Sequence, residues 1–282
     1  MIRMIAYFNG SFLRKEEIHI SPDDRGFLFA DGGYEVVRAY GGKPFKMAEH
    51  MDRLARSLRE TRIDFPGVAD LAVAGAQLIA RNGLETTDSI LYFQVTRGVA
   101  PRKHTFPDPA VPATAMILIS QAPSSAEMRE KGVSAILVPE FRWSRCDIKA
   151  IALLGSVLAV QQAKEKGAEE AIFVRDGVVT EGTHTNVMAV FNGHLATHPL
   201  GNFILPGVTR GVVQDLCRKI GIAFKEQAFR GDELNRASEI LITGTNKEIT
   251  PVIRLDGRPV GTGAPGVVTR RLQAAYSELV RG

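Results

Sequence analysis

Lys149 is the residue of this 282-residue chain whose surroundings most clearly suggest chemistry. It follows Arg145-Cys146-Asp147-Ile148 and opens the apolar run 151–160, so its amine is expected at the edge of a core. In apolar surroundings the charged form of a lysine loses hydration, and the neutral, nucleophilic amine becomes available for Schiff-base formation. The alternative is a lysine whose stem packs on the protein while its charge stays in water. Residues elsewhere in the chain must decide between the two.

Two turns rich in glycine and threonine could bind an anion such as phosphate. Leu205-Pro206-Gly207-Val208-Thr209-Arg210 precedes an amphipathic helix, whose first amides and positive dipole end favour an anion. The turn Thr243-Gly244-Thr245-Asn246 follows an apolar strand and offers hydroxyls and amides. The plain alternatives are an ordinary helix start and a turn closed by its own threonine hydroxyls.

Two charged residues have chemistry that would complement such a site. Glu181 closes the strand-like stretch 178–182, and a carboxylate there could keep a pyridine nitrogen protonated. Arg53 lies in a predicted helix, and its planar guanidinium matches a phosphate dianion. Either residue could equally be an ordinary solvated charge.

The elements that would position these residues mix strands and helices without regular alternation. Hairpin turns are predicted at Asn9-Gly10, Gly41-Gly42, Asp176-Gly177, Asn192-Gly193 and Asp256-Gly257. Helices are predicted over 48–62, 68–83, the stretch after Lys149 to about 167, 208–219, 231–237 and 267–280. Two buried strands, 89–98 and 113–122, flank a proline-rich loop that carries Arg102, Lys103 and His104. A loop of this length is typical of ligand binding.

These patterns predict an α+β fold with mixed, mainly antiparallel sheets and flanking helices. The length suggests two domains. We expect a smaller N-terminal α/β domain over 1–122, a linker over 123–132, and a larger C-terminal domain over 133–282 that carries Lys149.

The composition excludes several classes of protein. The net charge of +4 comes from 35 basic and 31 acidic residues without a basic block, which favours an anionic small molecule over nucleic acid. The two cysteines, Cys146 and Cys217, have no zinc-binding spacing and suit a reducing compartment. With no apolar leader or membrane-length segment apparent, we expect a soluble cytoplasmic protein with no bound metal and no membrane or nucleic-acid partner.

The order of these motifs resembles the fold type IV pyridoxal 5'-phosphate enzymes. The shared features are a lysine after Arg145-Cys146-Asp147-Ile148, Glu181 followed by Gly182 and Asn186, the 205–210 helix start, and the 243–246 turn. The resemblance covers essentially the whole chain. It implies the two-domain fold type IV architecture, with Lys149 as the Schiff-base lysine and Glu181 on the pyridine nitrogen. It further implies that the phosphate and ring are held by Arg53, Leu205, Val208, Thr209, Gly244 and Thr245.

Within that family the chain is most similar to the D-amino acid aminotransferases. The motifs are Tyr34 in a Gly-Gly-Tyr-Glu-Val stretch, and Arg102 with His104 in the proline-rich loop. The resemblance implies that these three bind the substrate carboxylate in a homodimer, with Arg102 and His104 reaching from the partner subunit. Two positions depart from the pattern. His184 stands in a stretch that is usually rich in serine, close to substrate and cofactor, and Gly244 replaces a common phosphate-binding serine.

The resemblance implies transamination between a D-amino acid, such as D-alanine or D-glutamate, and a 2-oxo acid, such as 2-oxoglutarate or pyruvate. The same fold also serves branched-chain L-aminotransferases, R-selective amine transaminases and aminodeoxychorismate lyases. A basic binding protein that keeps the fold is the non-enzymatic alternative. Retention of Lys149, Glu181 and Thr209 argues against it.

Overall fold

The computed structural model describes residues 4–281, which divide into two compact units. The first unit contains the chain up to Ala122 together with Ile148–Leu153. The second contains Pro123–Asp147 and the chain from Leu154 onward. Each unit has its own β-sheet.

The position of Lys149 differs from the domain assignment made from the sequence, which put it with the C-terminal residues. The segment Ile148–Leu153 is grouped with the first unit. Its backbone explains this, because the Tyr34 N–H donates to the Lys149 carbonyl at 3.0 Å and the Ile151 N–H donates to the Gly32 carbonyl at 3.1 Å. These bonds join residues far apart in the chain, so no local pattern predicts them.

The sheet of the first unit has six strands in the order β2-β1-β6-β5-β3-β4, all paired antiparallel. They are β1 (Ile5–Phe8), β2 (Ser11–Arg14), β3 (Gly32–Tyr40), β4 (Lys43–Pro44), β5 (Ser89–Thr96) and β6 (Thr114–Gln121). The helices are α1 (Arg25–Phe29), α2 (Met47–Glu60) and α3 (Val68–Arg81), with a short 3-10 turn over Lys15–Glu17. Helix α2 repeats buried positions at His50, Arg53, Leu54 and Ser57, and this spacing puts three polar side chains on its inward face.

The core of the first unit lies between the sheet and helices α2 and α3. Leu54 and Leu71 of the helices are fully buried with Leu91 and Phe93 of β5. Burying a leucine or phenylalanine side chain contributes roughly 1.5–3 kcal/mol. Strand β3, which carries Tyr34, is therefore supported by this packed core through its pairing with β5.

The second unit has a nine-stranded sheet in the order β12-β11-β10-β13-β14-β7-β8-β9, with β15 paired to β14. Its strands are β7 (Val133–Pro139), β8 (Glu170–Arg175), β9 (Val178–Gly182), β10 (Asn186–Phe191), β11 (His194–Thr197), β12 (Ala223–Glu226), β13 (Glu239–Gly244), β14 (Glu248–Leu255) and β15 (Arg258–Pro259). Strand β7 runs parallel to β8 and β14, β11 runs parallel to β12, and the other pairs are antiparallel. Pairing of Asn186 with Glu181 joins β9 back to β10, so the sheet closes on itself there.

The helices of the second unit are α4 (Ala126–Lys131), α5 (Leu154–Glu165), α6 (Val208–Ile220) and α7 (Val267–Arg281). Asp232–Arg236 forms a 3-10 helix where the sequence suggests a short helix. The predicted α+β class with mixed, mainly antiparallel sheets is confirmed. Within residues 4–281 no helix has the length and apolar character needed to cross a membrane.

Candidate active site

Lys149 is held by its own backbone in the first unit. Its N–H donates to the Ser57 hydroxyl at 3.1 Å, and its carbonyl accepts from the Tyr34 N–H. Its Nζ lies 4.2 Å from the centre of the Tyr34 ring. The side chain is half-buried, so the amine is supported by an aromatic face rather than enclosed in a core. Such an amine is fixed in position and still open to a reactant.

A buried polar cluster that sequence reasoning missed adjoins Tyr34 along β3. Glu35 is fully buried and accepts two hydrogen bonds from Arg53, at 2.6 and 2.9 Å, and one contact at 2.8 Å from His50 Nδ1. Burial alone would raise the pKa of Glu35, but Arg53 and His50 outweigh it and lower the pKa to about 2. Burial lowers the pKa of His50. The cluster therefore holds an ionised Glu35, a neutral His50 and a guanidinium fixed in one plane.

A signal for this cluster was present in the sequence. His50 and Arg53 are three residues apart in a predicted helix, which puts them on one face. The partner Glu35 could not be predicted, because it lies on a strand that the helix meets only in the folded chain. Arg53 was predicted to bind phosphate, and the structure shows it positioned by Glu35.

Arg102 and His104 lie exposed in the loop between β5 and β6. The structure brings them together at Phe29 of α1. The Arg102 guanidinium lies 5.2 Å from the centre of that ring, and the His104 and Phe29 rings are 5.6 Å apart. Tyr34, the third predicted carboxylate ligand, contacts Lys149 and Tyr92.

Glu181 is buried at the end of β9 in the second unit. Its Oε2 accepts the Leu205 N–H at 2.8 Å and an Asn186 amide hydrogen at 3.4 Å. Its Oε1 accepts from Arg142 Nη1 at 2.9 Å. Asn186 also donates to the Leu205 carbonyl at 2.9 Å. The Asn186 side chain therefore connects Glu181 of β9 to the segment that precedes α6.

Arg142 links Glu181 to a second carboxylate, Glu140. Arg142 donates to Glu140 at 2.6 and 2.9 Å. Burial raises the pKa of Glu181 to about 7, against the lowering effects of Arg142 and the Leu205 amide. The carboxyl of Glu181 can thus take up or release a proton near neutrality. Glu140 and Arg142 were missed from the sequence, where only their spacing of two residues marks them.

The predicted anion-binding turns both lie in the second unit. Helix α6 begins at Val208 after Gly207, which offers no side chain to accept from the first amides, and Thr209 is buried. Thr243, at the end of β13, has a buried hydroxyl oxygen with no hydrogen-bond partner among residues 4–281. Gly244 and Thr245 follow it and are half-buried. The first amides of α6, which no side chain caps, the Thr243 hydroxyl and the positive end of the α6 dipole suit a phosphate.

Fully buried Glu170, at the start of β8, fixes the turn that carries His184. Its Oε1 accepts the N–H and the hydroxyl of Thr183, at 3.1 and 2.5 Å, and its Oε2 accepts the Thr185 hydroxyl at 2.8 Å. The Ala171 N–H donates as well, at 3.0 Å. Because all these groups donate, they suit an ionised, acceptor-only carboxylate.

The tautomer of His184 follows from this arrangement. The single hydrogen of the Thr183 hydroxyl points to Glu170, so its oxygen must accept at the 2.8 Å contact with His184 Nδ1. His184 therefore carries a hydrogen on Nδ1, while its ring is exposed. The His184 carbonyl lies 3.3 Å from where a Cβ on Gly244 would be, so the His184 turn packs on the 243–246 turn.

Nitrogen-15 NMR of histidine-labelled protein tests this tautomer. We expect neutral His184 to carry its hydrogen on Nδ1, and Thr183→Val to release that preference because the acceptor oxygen is gone. Thr86→Val, at an exposed threonine outside the turn, serves as control. A wild-type signal from Nε2–H would contradict the assignment.

Comparison with known proteins identifies the class. The family model described as amino-transferase class IV matches residues 32–255. The chain is 40% identical over 275 residues to the D-alanine aminotransferase of Staphylococcus aureus strain MSSA476, with 97% of each chain covered. It is 42% identical over 279 residues to the Bacillus licheniformis D-alanine aminotransferase, covering 98% of this chain and 97% of that one.

Solved structures agree with this match. The branched-chain amino acid aminotransferase of Escherichia coli superimposes with a TM-score of 0.91 at 28% identity, covering 99% of this chain and 95% of that one. The T.th. branched-chain amino acid aminotransferase, solved with pyridoxamine 5'-phosphate, has a TM-score of 0.90 at 27% identity, covering 99% and 94%. The chain belongs to the class IV aminotransferases.

Class IV aminotransferases use pyridoxal 5'-phosphate, which is the cofactor of this chain. The structure suits each part of that molecule. The uncapped start of α6 and the unpartnered Thr243 hydroxyl match a phosphate, and buried Glu181 matches a ring nitrogen. Lys149 Nζ, over the Tyr34 ring, is an amine of the kind that such a cofactor requires.

Gly207 tests whether this helix start binds the cofactor. A Cβ at Gly207 would lie 2.0 Å from Asn186 Oδ1, so Gly207→Ala must displace Asn186 from Glu181 and Leu205. We expect the Kd for pyridoxal 5'-phosphate to rise about 10-fold in a fluorescence titration, as for overpacking of 1–3 kcal/mol. Gly211→Ala on the same helix is the matched control, since its Cβ would meet nothing within 4 Å. Equal affinity in both variants would contradict the assignment.

Proposed function

We propose that the chain transfers an amino group between a D-amino acid, of the D-alanine or D-glutamate type, and a 2-oxo acid such as 2-oxoglutarate or pyruvate. The observation that carries this proposal is the 39–42% identity to D-alanine aminotransferases over nearly the whole chain. The solved branched-chain enzymes are less similar, at 26–28% identity.

Lys149 is the proposed catalytic and Schiff-base residue. When bound, pyridoxal 5'-phosphate supplies an electron sink for the bond-breaking at the substrate α-carbon. Lys149 Nζ acts as the base that takes the α-proton and returns it on the cofactor side. The backbone hydrogen bonds of Lys149 with Tyr34 and Ser57 support this role, because they fix the position of the Lys149 backbone and so limit where its amine can lie.

The other proposed cofactor-binding residues hold the pyridine ring and the phosphate. Glu181 pairs with the pyridine nitrogen, and its bonds to Arg142, Asn186 and the Leu205 amide keep the carboxylate in one orientation. Leu205 packs against the ring. The phosphate is held by Arg53, by the start of α6 at Val208 and Thr209, and by the turn at Gly244 and Thr245.

Substrate binding is assigned to Tyr34, Arg102, His104 and His184. Tyr34 adjoins the amine of Lys149, which supports a position beside the reacting α-carbon. Arg102 and His104 share the Phe29 surface and supply a guanidinium and an imidazole for a carboxylate. His184 offers an exposed ring on the turn between Glu181 and Asn186.

A homodimer with active sites at the subunit interface is part of this proposal, with Arg102 and His104 coming from the partner. Helix α5 supports it. One face buries Ala159 and Ala163 in the core of the second unit, whereas Leu154, Val157 and Leu158 remain 71%, 54% and 55% exposed. Apolar exposure on one helix face is typical of an interface.

We expect Leu154→Lys with Leu158→Lys to shift the protein from dimer to monomer in sedimentation velocity, because burying two charges opposes association. Lys164→Ala, at an exposed position of the same helix, should leave the dimer intact. A monomeric wild type would contradict the proposed assembly. A cytoplasmic location is also proposed, supported by two free, buried cysteines.

Half-reaction spectroscopy tests the proposed substrate. D-alanine should bleach the cofactor absorbance of the purified enzyme, and 2-oxoglutarate should restore it. L-leucine and an R-amine should leave it unchanged. Bleaching by L-leucine alone would indicate a branched-chain enzyme, and bleaching by the R-amine alone an amine transaminase. Pyruvate formed from aminodeoxychorismate without an amino acceptor would indicate a lyase.

A further inference from the structure

The loop that carries Arg102 and His104 is anchored by a buried arginine. Arg25, in α1, is 4% exposed. Its Nη1 donates to the carbonyls of Lys103 and Thr105, at 2.7 and 3.2 Å. These two carbonyls flank His104, so one guanidinium fixes the backbone on both sides of that residue.

Asp31 joins this anchor to a second arginine. Its carboxylate accepts from Arg25 Nε at 2.9 Å and from Arg97 at 2.7 and 2.9 Å. Arg97 also donates at 2.7 Å to the carbonyls of Thr61 and Arg62, just after α2. Burial acts to raise the pKa of Asp31, but the hydrogen bonds from Arg97 and Arg25 lower it on balance. Asp31 thus stays ionised and ties the loop to the end of the helix that carries Arg53.

Aromatic contacts complete the arrangement on the same side of the loop. Arg25 lies 4.8 Å from the centre of the Phe29 ring, which also receives Arg102 and His104. Arg97 lies 3.7 Å from the centre of the Phe106 ring, two residues after His104. The loop is therefore held at its backbone by Arg25 and at Phe106 by Arg97, while Arg102 and His104 stay exposed.

We propose that Arg25 is a positioning residue for substrate-carboxylate binding, acting through the Lys103 and Thr105 carbonyls to place Arg102 and His104. This inference rests on the proposed function, in which those two residues bind the carboxylate. Arg25 acts through the loop backbone, because its own side chain is buried. Without the Arg25 guanidinium the loop loses its backbone anchor. Substrate binding must then also order Arg102 and His104, and this ordering weakens the affinity.

Steady-state kinetics of Arg25→Met tests the inference. We expect the KM values for D-alanine and 2-oxoglutarate to rise about 10-fold while kcat changes less than about 3-fold, because binding is lost without loss of the reacting groups. Arg25→Lys keeps a positive charge but has one nitrogen in place of the Nε that binds Asp31 and the Nη1 that binds the two carbonyls. Its KM values should therefore lie between those of the wild type and Arg25→Met. Guanidinium ion, at a non-denaturing concentration, should partly restore the Arg25→Met enzyme.

Arg14→Met removes a half-buried arginine that pairs with Glu17, outside this network, and should leave both constants unchanged. A fall in kcat at constant KM, or unchanged KM values, would overturn the inference. Tryptic cleavage after Arg102 and Lys103 gives a readout independent of the reaction, and it should be faster in Arg25→Met. If Arg25→Met is cleaved no faster than the wild type, the inference is overturned, whichever amino donor the wild type uses. If Arg25→Met is cleaved faster but the wild type has no activity with D-alanine, only the proposed function is contradicted.

Discussion

Lys149→Ala is expected to lower the rate of transamination on the order of 10⁴-fold, because it removes both the proposed covalent cofactor anchor and the proposed base that moves the α-proton. The protein should still fold, since Lys149 contributes its backbone, not its side chain, to the bonds with Tyr34 and Ser57. The measurement is kcat with D-alanine and 2-oxoglutarate, together with the absorbance of the cofactor-loaded protein.

Lys164→Ala is the matched control, because Lys164 is an exposed lysine on α5. Its rate and spectrum should equal those of the wild type. Activity of Lys149→Ala within about 10-fold of wild type would mean that another amine performs this chemistry.

Glu181→Gln is expected to lower kcat about 10²–10³-fold, the range seen when one preorganised electrostatic group is removed from a buried site. The amide keeps the shape but cannot carry the negative charge that would hold a ring nitrogen protonated. Arg142 and the Leu205 amide would then face a neutral group. Glu165→Gln, on the exposed part of α5, should show no loss. Unchanged kcat in Glu181→Gln would remove Glu181 from the proposed mechanism.

The same variant tests the pKa of Glu181 in the cofactor-free protein. Burial raises that pKa from 4.5 to about 7, so the folded chain binds the proton more tightly than the unfolded chain. Its contribution is most favourable below about pH 4.5 and is lost as pH rises through 7, an effect of at most ~3 kcal/mol. Urea denaturation between about pH 4.5 and pH 8 should show that the free energy of unfolding of the wild type falls relative to that of Glu181→Gln. Parallel curves would contradict the raised pKa.

Much of the local structure could be predicted from the sequence because it is determined by neighbouring residues. Asn9-Gly10, Asp176-Gly177, Asn192-Gly193 and Asp256-Gly257 all have positive φ at both positions, as hairpin turns of that composition require. Helix α6 begins at Val208, as the Pro-Gly pair before it predicts. The cofactor and the class followed from an ordered set of short motifs.

The supporting residues could not be predicted, because their partners lie far away in the chain. Glu35 meets His50 and Arg53 only when α2 packs on β3, and Asp31 meets Arg97 only when β3 and β5 pair. Glu170 looks like a surface residue in a charged stretch, yet it is fully buried under the 183–185 turn. Lys149 itself packs with residues of the first unit through backbone bonds that carry no side-chain pattern.

Borohydride reduction followed by peptide mapping shows which lysine binds the cofactor and which amino acid releases it. Reduction of the cofactor-loaded enzyme is expected to attach the cofactor to Lys149 alone, and prior treatment with D-alanine, but not L-leucine, should prevent the attachment. Attachment to a different lysine would contradict the role of Lys149. Protection by L-leucine instead of D-alanine would contradict the proposed substrate.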